Sequence, residues 1–127
     1  MKGILVDTSV WVDHFRNRSE DLVGLLTLDL VLSHPLIVTE LACGTPPAPR
    51  SRTLTDISTL TQARQATPDE VRSFIEREKL YGLGCGVIDL ALLASTLLTP
   101  GSRLWSLDRR LVQLAQRFDV AFRPALR

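Results

Sequence analysis

The sequence predicts an α/β fold, a sandwich whose mostly parallel central sheet is flanked by helices. Short apolar runs suited to buried strands recur at residues 3–6, 30–32, 103–106 and 120–122. Segments with helical spacing of apolar residues separate them. Such alternation favours parallel pairing, because parallel neighbours need crossover connections that helices supply.

The first run, residues 3–6, ends at Asp7, and Val10, Trp11, Val12 and Phe15 then open a helical pattern. A second helix is expected over 20–28, followed by the strand at 30–32. Pro35 suits a first helical position, where its missing N–H would be unpaired anyway, so 36–43 reads as a helix closed by Gly44, and it carries Glu40. Pro46, Pro47 and Pro49 make 45–52 a loop, and a weak helical pattern follows over 53–64. Thr67, Pro68 and Glu70 form a start signal, a hydroxyl cap with an acid placed to reach back to it, for a helix running to Leu80. A glycine-rich break at 81–86 leads into an apolar helix, 87–98, with Asp89 near its N-terminus. After a turn at 99–102 come the strand 103–106, a helix from Asp108 to Phe118, and a last strand at 120–122.

At 127 residues the chain fits one domain spanning 1–127, and 45% hydrophobic with 23% charged residues is ordinary for a globular protein. Asp89 interrupts the longest apolar stretch, so no transmembrane helix is expected. The N-terminal run meets Asp7 too early for a signal peptide, which points to the cytoplasm. Cys43 and Cys85 are too few for a disulfide framework and have no metal-ligand spacing, so both are expected to be buried free thiols. The net charge is +1 and there is no basic tail, so any attraction to nucleic acid must be arranged locally by folding.

Four acids attract attention. In an open parallel sheet ligands bind beyond the carboxyl ends of the strands, where Asp7 and Asp108 fall. Taken singly, Asp7 and Asp108 could merely cap helices and Glu40 could sit on a solvated helix face. Asp89 resists such an explanation, because Val87, Ile88, Leu90, Ala91, Leu92 and Leu93 surround it and an unpaired carboxylate in apolar surroundings is costly. A helix-dipole role at the first turn is the structural alternative. A divalent cation is a physical answer: Mg2+ and Mn2+ take oxygen ligands from a few carboxylates, water and phosphates. His14 and His34 have no zinc-like spacing, and neither a G-x-S-x-G elbow nor a G-x-x-x-x-G-K loop is present. Arg16, Arg109 and Arg110 are the cations near enough in sequence to flank such a site, and solvated helix faces explain them equally well.

The segments LVDTSVWVD (residues 5–13), TELACG (39–44), DLALLA (89–94) and SLDRRL (106–111) together resemble the four motifs of PIN-domain ribonucleases, and most of all the VapC toxins of toxin–antitoxin pairs. The likeness runs over nearly the whole chain in the same order. Ser106 stands where the family usually has Thr and Leu111 where it usually has Phe; a hydroxyl and an apolar anchor are kept. No motif matches 45–64.

The resemblance implies a PIN-like three-layer sandwich and Mg2+- or Mn2+-dependent cleavage of RNA. Asp7 and Asp89 would be the principal metal ligands, Glu40 and Asp108 would complete the acidic pocket, and Ser9 and Ser106 would support it by hydrogen bonding. A cognate antitoxin and a homodimer are the partners it implies. Two other readings use the same residues. Metal-assisted phosphotransfer would need an Asp where Ser9 stands, and a catalytically silent protein-binding module has no need of all four acids.

Overall fold

The computed structural model describes residues 3–124; Met1 and Lys2, the start of the run expected to lack a signal peptide, lie outside them. Three strands form a parallel sheet: β1 (Ile4–Val6), β2 (Val31–Leu32) and β3 (Arg103–Trp105), in the order β2-β1-β3. Between β1 and β2 run α1 (Thr8–Asn17) and α2 (Glu20–Thr27). Between β2 and β3 run α3 (Pro35–Ala42), α4 (Arg50–Ser58), α5 (Pro68–Glu78) and α6 (Val87–Leu98), and α7 (Arg109–Arg117) follows β3. This is the predicted α/β sandwich of PIN-like type, with a wholly parallel sheet among the described strands.

The central strand explains the register. Ile4, Leu5 and Val6 have no exposed surface, as expected of a strand buried on both faces. Ile4 aligns with Val31 and Arg103, and Leu5 with Leu32 and Leu104. Gly3 must lack a side chain here, since a Cβ would lie 2.4 Å from Leu32 Cγ. On α6, every residue from Leu90 to Thr96 is buried, which accounts for a helix apolar on all sides.

The last predicted strand is reduced to one parallel bridge, Leu104 with Ala121, held by Leu104 N–H to Val120 O at 2.7 Å and Phe122 N–H to Leu104 O at 2.9 Å. Even so, it fixes direction. From β1 the chain crosses towards β2, and from β3 it crosses the other way, towards Ala121. The gap between the carboxyl ends of β1 and β3 is therefore the switch point at which an open parallel sheet forms its crevice.

Several expectations need correction. The helix expected over 53–64 is α4, Arg50–Ser58; Arg50 lies inside the predicted loop but donates to the carbonyls of Gly44 and Ala42 and ties the helix start back to α3. Residues beyond Ser58 leave the helix to bridge Gln62 to Ser33 at the β2 side of the sheet. The first helix begins at Thr8 rather than Val10, and α5 ends at Glu78 because Lys79 adopts left-handed geometry. The cysteines are free, but Cys43 is exposed and Cys85 only half-buried. Among the described residues no helix is long and apolar enough to cross a membrane.

Removing side-chain volume from the central strand should be far costlier than removing it at the surface. Leu5→Ala is expected to lower unfolding free energy by about 3 kcal/mol. Leu28→Ala, at a side chain 68% exposed, should change it by less than about 0.5 kcal/mol in urea denaturation.

Candidate active site

Asp7 leaves the end of β1 at the switch point and caps α1 with its backbone, while its side chain does something else. The residue is only 4% exposed, and its carboxylate accepts from Ser9 Oγ at 2.8 Å and from Ser106 Oγ at 2.7 Å, both on Oδ2. Each serine is fixed in turn from the backbone: Leu107 N–H donates to Ser9 Oγ at 2.9 Å, and Asp108 N–H to Ser106 Oγ at 3.0 Å. With both hydroxyl protons directed to Asp7, the 3.4 Å approach of the two serine oxygens carries no proton and is a contact, not a bond. Asp7 Oδ1 has no protein donor among the described residues.

The other acids share this division of labour. Glu40, half-buried on α3, accepts from Thr8 Oγ1 on Oε1 at 2.7 Å. Asp108, exposed, caps α7 by accepting from Arg110 N–H at 2.9 Å and Leu111 N–H at 3.1 Å, both on Oδ1. The capping explanation for Asp108 is thus correct, yet it occupies one oxygen only. Asp89, in the first turn of α6, receives a hydrogen bond from the Gly86 backbone. Thr8, which had not been singled out in the sequence, fastens Glu40; its one sequence signal is a hydroxyl directly after Asp7.

Mutual repulsion shows on Asp89. Burial, and then the charges of Asp7, Asp108 and Glu40, push its pKa up from 3.8 to about 6, against the Gly86 hydrogen bond. One carboxyl therefore feels all three others, so the fold brings the four acids into one electrostatic neighbourhood. Burial and the carboxylates of Asp89 and Asp108 also push the Cys85 thiol upward. Arg110 lies across this edge, donating to Gly84 O at 3.4 Å, and Gly84 (φ +89°) could not carry a Cβ without meeting Arg110 Cδ at 2.7 Å.

Among the described residues no three His, Cys, Asp or Glu side chains form a group close enough to hold a metal ion by themselves. The donor set still fits Mg2+ or Mn2+, which are usually held by one or two carboxylates with water and substrate phosphate completing the shell. The four acids offer oxygen donors, the kind these ions take. The histidines are otherwise engaged: His34 Nδ1 accepts from Leu36 N–H and His14 Nδ1 from Ser19 N–H, each at 3.0 Å.

No family model matches the chain. Its sequence is 44% identical over 118 residues to the protein named Ribonuclease VapC32 from two strains of Mycobacterium tuberculosis, covering 93% of this chain and 94% of the relative.

The raised Asp89 pKa sets the sign of a pH effect. Its proton is held more tightly in the folded than in the unfolded state, so this contribution to stability is complete below about pH 4 and is lost as pH rises through about 6. In EDTA, Asp89→Asn is expected to melt about 3 °C above the wild type at pH 7.5 and to lose that advantage at pH 4. Parallel melting curves across the range would contradict the repulsion.

Proposed function

Since the chain belongs to the VapC-type PIN-domain ribonucleases, we propose that it is a divalent-metal-dependent endoribonuclease, the toxin of a type II toxin–antitoxin pair. The observation that carries this reading is the Asp7 residue, nearly buried at the switch point, its carboxylate held on one oxygen and without a protein donor on the other among the described residues, beside an Asp89 that feels Asp7, Asp108 and Glu40 together.

In this proposal Asp7 and Asp89 are the principal ligands of Mg2+ or Mn2+, and Glu40 and Asp108 complete the pocket. When bound, the cation supplies charge stabilisation to the phosphodiester and activation of water for in-line attack. The chain's own groups supply position. Ser9 and Ser106 hold Asp7 through hydroxyls that are themselves anchored on the backbone of the β3–α7 turn. Thr8 holds Glu40, and α7 holds Asp108. Because Asp7, Glu40 and Asp108 are each fastened on one oxygen, little reorganisation is needed when phosphate and cation arrive together. Repulsion among the carboxylates makes the metal-free pocket a poor place for an RNA phosphate, so cation and substrate should bind cooperatively.

The antitoxin and a second copy of the chain are partners under the same proposal. The exposed Leu97 and Leu98 beside the α5–α6 cleft supply apolar surface of the kind that protein contacts cover.

Purified protein is expected to cleave single-stranded RNA with Mg2+ or Mn2+ and to stop on addition of EDTA. Asp7→Asn and Asp89→Asn should each lower kcat at least about 100-fold with the fold retained by circular dichroism. Undiminished cleavage by both variants, or in EDTA, would overturn the reading.

A further inference from the structure

A cavity of about 480 Å³ opens next to the acids, between α1, α3 and the turn after α3. Phe15, Arg16, Glu40, Leu41, Pro46 and Pro47 are among the residues lining it. Glu40 belongs to both places: it lines this cavity, and its charge acts on Asp89. Arg16 is exposed and makes no ion pair or hydrogen bond among the described residues. Gly44 lines the cavity too, and a Cβ there would meet nothing nearer than Leu41 O at 3.7 Å.

We propose that this cavity takes one unstacked nucleotide of a single-stranded RNA, adjacent to the phosphate bound at the acids, with Arg16 as its recognition residue. The proposal rests on the ribonuclease reading and gives it a substrate subsite. Continuity is the first argument. A strand whose phosphate lies among Asp7, Asp89 and Asp108 must lead its neighbouring nucleotide somewhere, and the cavity shares the Glu40 wall. Chemistry is the second. Bases splayed out of single strands pack on aromatic and apolar side chains and are hydrogen-bonded along their edges, often by Arg. Phe15, Leu41, Pro46 and Pro47 supply apolar walls, and Arg16 supplies the donors.

Charge is the third argument. Glu40 alone would repel a nucleotide, and the unpaired guanidinium of Arg16 on the same cavity offsets it. The cavity between α5 and α6, lined by Phe74, Ala94, Leu97 and Leu98, lacks any of the four acids and is a different kind of surface.

The test uses the whole chain carrying Asp89→Asn, which lowers both cleavage and the repulsion that keeps a phosphate from the acids, with a tetranucleotide RNA read by amide nitrogen–proton NMR in EDTA. Shifts are expected at residues 12–16 and 41–47. Arg16→Ala, and Thr45→Glu, which adds a second carboxylate at the exposed cavity margin, should each weaken binding about tenfold with the spectrum otherwise that of the folded protein. In cleavage assays with Mn2+, Arg16→Ala should lose about tenfold in kcat/KM, carried by KM, and relax base preference at one position beside the cut. Shifts that miss both segments, wild-type affinity in either variant, or a cavity indifferent to RNA but covered by a protein partner would each overturn the proposal. Cavity binding as expected with no metal-dependent cleavage would instead fault the ribonuclease reading and leave the nucleotide site standing.

Discussion

The candidate site depends on one buried carboxylate, Asp7, that two hydroxyls hold at the junction of two parallel strands. Ile4, Leu5 and Val6 are wholly buried and fix the height of β1 between its neighbours, so the next residue emerges beside the end of β3. Asp7 N–H then donates to Trp105 O at 2.9 Å, continuing the strand pairing to the last residue before the site. Ser106, the residue after β3, closes the junction by donating to Asp7 Oδ2. Strand register and acid position are thus one constraint.

Around that point each acid spends one oxygen or one backbone contact on being held. A carboxylate has two oxygens and about four lone-pair sites, so fastening and ligation do not compete. Asp108 illustrates it: a helix cap by every local criterion, it still contributes to the field that raises Asp89. Burial and repulsion at Asp89 are costly in isolation, a cost commonly found where function sets the local charge. The uncommitted Arg16 extends the same logic outward, as a cation beside a cavity that shares the Glu40 wall.

Much of this was legible because local physics and tertiary structure agree. The capping box at Thr67 and Glu70 is present with both hydrogen bonds, Pro35 opens α3, and Asp89 stands in the first turn of an apolar helix as its neighbours implied. The misreadings arose where distant contacts decide. Arg50 starts α4 by bonding carbonyls at the end of α3, which no local pattern announces. Cys43 is exposed because it falls at the C-terminal cap of α3, and apolar character alone does not say which side of a helix end faces water. The pairing of Thr8 with Glu40 joins residues 32 apart and is a product of α1 packing on α3. The cavity beside Glu40 has the same origin.

Calorimetric titration of Mn2+ into the purified chain at pH 7.5 tests the central claim most directly, that these carboxylates form a charge-deficient site completed by a cation. The account predicts saturable binding that weakens at least about tenfold in Asp7→Asn and in Asp89→Asn and is unchanged in Asp69→Asn, an exposed acid on α5. Equal affinity in all four proteins would contradict it.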